Sequence, residues 1–519
     1  MKPRNLAQAI LFSLFVIGLV FAARPSVYAA ANRYVDPTGT NSGDCTIPAT
    51  PCQTIVYALD QAAAGDTLLL AAGTYTGLGN QHVIINKAIT LDGAGPAMTI
   101  LDYDAGTPNP PLVSKNGILE IRASDVTIKD LTVRDVPSEG GTSLWGIRLY
   151  LSGGTIDDTL IDNVHFLNNT SRGLELHNFT TITDLAVQNS LFDGNSEHGI
   201  RISSDAHVTS FDIKNTTFQN QGVAGIRHIG VTSTLQDLDV DNATFTNNTL
   251  AGVQLVEVYN SIVQNSSFSG GQYGVWLGDT ATTVVDPNGL MTVDSNTFTD
   301  QTLSAIYMEY RDNPLANANT VSSNTIAQNV GLLTATAAAI DVRLHATQSH
   351  AAVNVSGNSV TFSGAFGAAT AAHALQVRGG ADTVNVTENT FDGGNVGNNG
   401  DNPPTSGIVL HTNDATYGAM KGTAMIHIAK NTVQEFVNGV TLFNAVTPGF
   451  GGVPATAAIN INHNSLTGNS DFGARSGDPN PADATCNWWG DASGPAGEGP
   501  GSGDAVSVQL GFAPWLPTS

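Results

Sequence analysis

The chain has 519 residues, 44 acidic side chains against 20 lysines and arginines, and a formal charge of −24. That balance argues against a nucleic-acid partner, because phosphate recognition needs a basic footprint. A low-lysine surface rich in Gly and Asn suits an extracellular protein, and an acidic substrate would need the few cations to cluster locally.

Residues 1–31 read as a signal peptide. Lys2 and Arg4 precede an uncharged run from Leu6 to Ala23, and Ala29-Ala30-Ala31 offers a small-x-small cleavage site. The leader removes Lys2, Arg4 and Arg24 and no acid, so the mature charge becomes −24 − 3 = −27. The apolar run is long enough to span a bilayer, which leaves an uncleaved anchor as the alternative. No second such run follows, so no membrane span is expected after cleavage and the location is secreted or cell surface.

Residues 32–75 read as an end cap. Arg33 to Asp36 forms a strand, and Ile55, Ala58, Leu59 and Ala62 share one face of a short helix with Thr54 as N-cap. A helix there covers the open end of a stacked core and blocks edge pairing. Cys45 and Cys52 are expected to pair in a disulfide, as an exported location allows. Cys486 is left over and is expected to lie buried under the adjacent tryptophans.

Residues 76–484 carry a repeat. Ile161-Asp-Asn-Val-His-Phe166, Val187-Gln-Asn-Ser-Leu-Phe192, Ile213-Lys-Asn-Thr-Thr-Phe218 and Val240-Asp-Asn-Ala-Thr-Phe245 are near copies. Each is followed by a Gly-apolar-x-apolar unit: Gly173–Leu176, Gly199–Ile202, Gly225–His228 and Gly252–Leu255. The phenylalanines are 26, 26 and 27 residues apart, a solenoid period. The apolar residues alternate and are largely β-branched, so each coil holds three short strands, and coils stack in parallel at about 4.8 Å. Asn163, Asn189, Asn215, Asn242 and Asn265 recur at one position and are expected to form an internal amide ladder. After Phe268 the gaps vary and the Asn moves one place later, to Asn296, Asn324, Asn358, Asn389, Asn431 and Asn464. We read that as a change of turn type. The extra residues form loops at 278–289, 332–338, 363–372, 393–406, 412–423 and 445–457, on what is often a solenoid's functional side. Residues 485–519 form a C-terminal cap and tail, with Trp488 and Trp489 as a lid on the core and sugar binding as the alternative role.

This pattern resembles the right-handed parallel β-helix proteins, the pectate-lyase-like group and its secreted bacterial relatives. The resemblance implies an all-β fold: a right-handed parallel β-helix of roughly a dozen coils, with an N-terminal capping helix and a Trp-rich C-terminal cap. It also implies that the Gly-apolar-x-apolar strand lines a substrate groove. One outward column then reads Arg148, Glu175, Arg201, Arg227, Gln254, Trp276, Tyr307, Asp341, Gln376 and Val409. The next reads Tyr150, His177, Ser203, Ile229, Val256, Gly278, Glu309, Arg343, Arg378 and His411.

Two clusters stand out. Arg148, Glu175, His177, Arg201 and Arg227 concentrate cations on an acidic chain and could hold a carboxylated or sulfated sugar. Trp276, Tyr307, Glu309, Asp341, Arg343, Arg378 and His411 combine aromatic platforms with acids and guanidiniums. Glu309 and Asp341 could flank a glycosidic bond, and Arg343 or Arg378 could neutralise a uronate for β-elimination. The plainer reading is cross-strand salt bridges with solvated histidines. His228 replaces an inward apolar residue and is expected to be a hydrogen-bonded core histidine. A stripe of Asp158, Asp184, Asp212, Asp237, Asp239 and Asp241 is read as solvated acids, with Ca²⁺ binding as the alternative, and no other cofactor is expected. The Arg-x-Pro-x-x-Arg-like segment of pectate lyases and the Gly-His-Gly of polygalacturonases are absent. The functional expectation is a monomer that binds, and in one version cleaves, an extracellular polysaccharide. The alternative is a non-catalytic surface or adhesion module.

Overall fold

A computed structural model describes residues 30–519 apart from 105–116, 138–143, 231, 257, 279–288, 311–317, 346–351, 381, 415, 445–456 and 477–481. The leader, and most of the 278–289 and 445–457 loops, lie outside the described residues. The chain winds as a right-handed parallel solenoid of roughly a dozen coils. In one coil, Thr180–Gln188 forms the first face, Leu191–Asp193 the second and His198–Ile202 the third. Each strand pairs in parallel with its counterpart one coil on: Phe192 with Phe218, Ile200 with Ile226 and Val187 with Ile213.

The repeat motif has a direct packing cause. Phe166, Phe192, Phe218, Phe245, Phe268 and Phe298 are buried and stack face to face, with ring centroids 4.4 to 5.0 Å apart. The glycine that opens each third-face strand lies against that stack. A Cβ on Gly199 would come within 2.7 Å of the Phe218 ring, and one on Gly252 within 2.6 Å of Phe268. The glycine is therefore required by clearance of the ring and of the next coil's carbonyl, which a Cβ on Gly199 would also meet at 2.7 Å, not by a left-handed backbone.

The asparagines correct the expectation. Asn189, Asn215, Asn242 and Asn265 are exposed and Asn163 is half-buried, so they are not an internal ladder. They take left-handed backbone angles, φ 50 to 52°, and each side-chain amide donates along the outside to an Asn or Asp of the preceding coil, as Asn242 Nδ2 does to Asn215 Oδ1 at 2.7 Å and Asn265 Nδ2 to Asp241 Oδ1 at 2.8 Å. The internal ladder is the later set, Asn296, Asn324, Asn358, Asn389, Asn431 and Asn464, extended by Asn487 and buried throughout. From Asn324 onward each side-chain oxygen accepts the backbone N–H of the preceding coil's Asn at 2.8 to 3.0 Å, and that of Asn296 accepts the N–H of Ser266 at 2.9 Å. The turn itself does not change. Ser295, Ser323, Glu388, Lys430 and His463 keep the left-handed angle just before each buried Asn. In the earlier coils Ser190 and Ser266 occupy the buried position and accept the equivalent N–H of Val164 and Ala243 at 3.1 and 3.0 Å. A second internal ladder, Asn169, Asn195, Gln221 and Asn248, escaped the sequence reading.

At the N-terminal end the helix Ile55–Gln61 buries Ile55, Ala58 and Leu59, with the Thr54 side chain accepting from Tyr57 N–H. Cys45 and Cys52 form a disulfide. At the other end Trp489 is fully buried against Gly473. Cys486 is only half-buried and takes the outward left-handed position of the ladder turn, φ 58°, so it is not covered by the tryptophans.

Candidate functional site

The third face holds the predicted columns in register. Arg148 pairs with Glu175, Glu175 with Arg201, Arg201 with Arg227 and Arg227 with Gln254. Trp276, Tyr307, Asp341 and Gln376 follow in the same row. Glu309, Arg343 and Arg378 form the neighbouring row.

Outward does not mean solvated. Arg148 is 3% exposed, Glu175 2%, Asp341 2% and His411 4%, so the expectation of a merely solvated His411 fails. Side chains on this face bury one another, because long polar groups on adjacent coils lie only about 4.8 Å apart.

In the first cluster Glu120 was missed, although Leu119-Glu-Ile121 fits the apolar-x-apolar pattern. It is fully buried and pairs with both Arg148 and Arg122. Arg172, just before the motif glycine, pairs with Glu175 at 3.1 Å and Glu197 at 2.9 Å. Ser203 donates to Glu175. Burial holds the Glu175 carboxyl above the ordinary range, against the pull of Arg172 and Arg201. His177 lies beside the Tyr150 ring, centroids 4.8 Å apart, and burial with the Arg148 charge pushes it down to about 4.

Arg201 and Arg227 differ from their neighbours. Among the described residues neither has a carboxylate within ion-pair distance, and the Nε of each is buried without a hydrogen-bond partner. Arg227 reaches only His198 Nε2, at 3.1 Å, and burial plus Arg227 push that imidazole down to about 2. Burial lowers both guanidinium pKa values. The five strands from Leu119 to His228 on this face carry four arginines and two glutamates, a net +2 on an acidic protein.

The second cluster divides in two. Asp341 Oδ2 accepts from Arg343 Nη2 at 2.7 Å and Nε at 3.1 Å, and Tyr307 donates to Glu309. Burial alone would lower the Arg343 pKa, but the Asp341 charge and hydrogen bonds outweigh it and raise it. Tyr417, from the 412–423 loop, lies against this pair, and its hydroxyl accepts from Arg343 Nη1 at 3.1 Å. Tyr273, Trp276 and Tyr307 form an aromatic group with centroids 5.2 to 5.7 Å apart. One coil on, Arg378 and His411 gather around Gln376, whose side-chain amide lies 3.0 Å from His411 Nε2, and Asp414 lies 3.5 Å from His411 and 3.7 Å from Arg378. Burial and Arg378 push His411 down to about 3. Tyr417 and Asp414 carried no periodic signal, since Tyr417 sits in an insertion and Asp414 lies past the repeat unit.

The remaining candidates have plain roles. His228 is fully buried and its Nε2 bonds to Ser233 Oγ at 2.7 Å. In the acidic stripe Asp212 and Asp239 share Lys214, at 2.9 and 3.6 Å. Among the described residues no three His, Cys, Asp or Glu side chains are grouped to hold a metal ion.

The family model for the right handed beta helix region matches residues 145–291 and 179–482, together well over half of the 519 residues. The chain belongs to that family. This β-helix protein is 33% identical over 120 residues to Pectate lyase PEL9 of Emericella nidulans, a match covering 20% of the chain and 28% of that relative. Among solved structures, a GH136 lacto-N-biosidase from Eubacterium ramulus is 10% identical, with 77% of this chain and 67% of that one covered and a TM-score of 0.43. Pectate lyase Pel9A is 16% identical, with 65% and 77% covered and a TM-score of 0.40. Among the described residues no helix is long and apolar enough to cross a membrane.

Proposed function

We propose that this β-helix protein is exported and holds an anionic polysaccharide along its third face. The observation that carries the reading is the Arg201–Arg227 pair, two half-buried guanidiniums on adjacent coils with no carboxylate in ion-pair contact among the described residues. Like charges directly opposite on a sheet are destabilising. A bound carboxylate or sulfate removes that cost. Two to three coils along, Trp276 offers a half-exposed ring for the apolar face of a sugar. The segment shared with a pectate lyase supports a glycan as the ligand.

Cleavage is the second reading, favoured by Glu309 and Asp341. They stand on neighbouring coils in different settings, one hydrogen-bonded by a phenol and one held by a guanidinium. Unequal settings are what an acid and base pair needs. Arg343 is committed to Asp341, so Arg378, with a looser 3.7 Å contact to Asp414, is the cation better placed for a uronate carboxylate.

The test is a screen of residues 32–519 against uronate, sulfated and neutral polymers, with and without Ca²⁺. Binding that is lost in Arg201→Ala/Arg227→Ala and weakened by salt supports the groove. Unsaturated products mean a lyase, new reducing ends without unsaturation a hydrolase. Polyanion binding that survives the double substitution overturns the reading, and binding without product leaves a non-catalytic surface module.

A further inference from the structure

The third face begins one coil before Glu120. Ile84, on the strand Val83–Ile85, is the register partner of Glu120. Arg122 N–H donates to the Ile85 carbonyl, so Asn86 and Arg122 continue the neighbouring row. Over this first coil lies a cavity of about 530 Å³. Its floor is Ile84, Asn86 and Arg122, and its far wall is Leu59 and Asp60 of the helix with Leu78 of the following loop.

The wall is firmly tied to the floor. Lys87 Nζ donates to the carbonyls of Leu59 and Ala62 at 3.0 and 2.9 Å, and Ile55 N–H donates to Asn80 Oδ1 at 3.0 Å. The groove face therefore ends against a fixed barrier and does not run off the molecule. The row continues from Arg122 to Tyr150, whose ring lies 5.9 Å from the guanidinium, and on to His177. Arg201 is three coils from Glu120, about 14 Å along the stack.

The chemistry of the cavity is that of a small polar ligand with apolar faces. Small-molecule sites run from about 300 to 1,000 Å³, apolar with a few convergent polar groups. Leu59, Leu78 and Ile84 supply the apolar part, Asp60 and Asn86 the hydrogen-bonding groups. Its lining charges balance, because Asp60 and Arg122 carry one charge each of opposite sign.

We propose that this cavity is the terminal subsite of the groove and takes the uncharged sugar at one end of the glycan whose acidic part lies on Arg201 and Arg227. The inference rests on the groove reading above. A closed end selects chain ends over chain interiors, so the protein recognises its glycan from a terminus.

The experiment is saturation-transfer NMR on the full chain with a panel of neutral probes: galactose, glucose, xylose, arabinose and rhamnose, and their disaccharides. Asn86 is exposed, so Asn86→Trp fills the floor without disturbing the core. Leu78 is 74% exposed, and Leu78→Ala opens the wall as a second variant. At least one neutral probe should bind, and should weaken by about tenfold in Asn86→Trp. The same probe should bind Arg201→Ala/Arg227→Ala unchanged, while a polyuronate loses that double variant and keeps Asn86→Trp. No neutral probe that senses either Asn86→Trp or Leu78→Ala overturns the terminal subsite. A polyuronate indifferent to the arginines overturns the groove instead, so the two failures read out separately.

Discussion

Asn358 is the sharpest test of how the solenoid is held together. Its side chain is 1% exposed and makes five contacts. Its Oδ1 accepts from the backbone N–H of Asn324 at 3.0 Å and from Asn324 Nδ2 at 2.9 Å. Its Nδ2 donates to Val321 O, Ser356 O and Asn389 Oδ1. Asn358→Ala strands the Asn324 N–H and one amide hydrogen in a dry interior. An unpaired buried donor costs about 1–3 kcal/mol, so two give a loss of about 4 kcal/mol. Asn358→Ser restores an acceptor for the N–H, as Ser190 and Ser266 do in earlier coils, and should lose about 2 kcal/mol. Asn215→Ala, at an exposed left-handed position, should lose only about 1–2 kcal/mol, because the Asn side chain offsets the left-handed strain with hydrogen bonds to Asn189 and Asn242 that Ala cannot make. Urea unfolding by far-ultraviolet circular dichroism ranks the three. Coil stability is a sum of nearest-neighbour terms, so amide exchange should also quicken first in the coils flanking Asn358. If Asn358→Ala proves no more harmful than Asn215→Ala, the internal ladder is not what holds the later coils in register.

Burial depresses His177 and His228 to about 4, His373 and His411 to about 3 and His198 to about 2. Between those values and 6.5 the unfolded chain binds more protons than the folded one, so stability is full above pH 6.5 and falls as pH drops below it. A denaturation midpoint that stays flat from pH 7 to 5 would refute this. Asp341→Asn leaves the half-buried Arg343 without its ion partner and should cost about 2 kcal/mol, measured by urea unfolding, more than a solvated pair would. Tyr417→Phe removes the Arg343 contact and should cost about 1 kcal/mol while increasing proteolysis within residues 412–423.

The third face shows how much of a candidate site can be legible in a repeat. Arg148, Glu175, Arg201, Arg227, Trp276, Tyr307 and Asp341 align in the structure as they do when the sequence is folded on its own period. A strand's side-chain alternation and a constant coil length leave no freedom in that row. What each member does was not legible. Arg343 is ion-paired with Asp341 two residues away and hydrogen-bonded to a loop tyrosine 74 residues later, whereas Arg201 feels Glu175 only at a distance, without an ion-pair contact among the described residues.

By itself the sequence determined the coil, its three strands, the order of residues along the third face and the recurrence of a glycine after each phenylalanine. Those features follow from spacing along the chain, repeated until only one stacking satisfies it. The tertiary structure decided which asparagines lie inside, since a shift of one residue carries a side chain from solvent to core. It also decided that the outward columns are largely buried and that Tyr417 and Asp414 join the site. The cavity beneath the N-terminal helix belongs to the same class. Each depends on distances between coils or between a loop and a coil, and a periodic pattern contains no term for either.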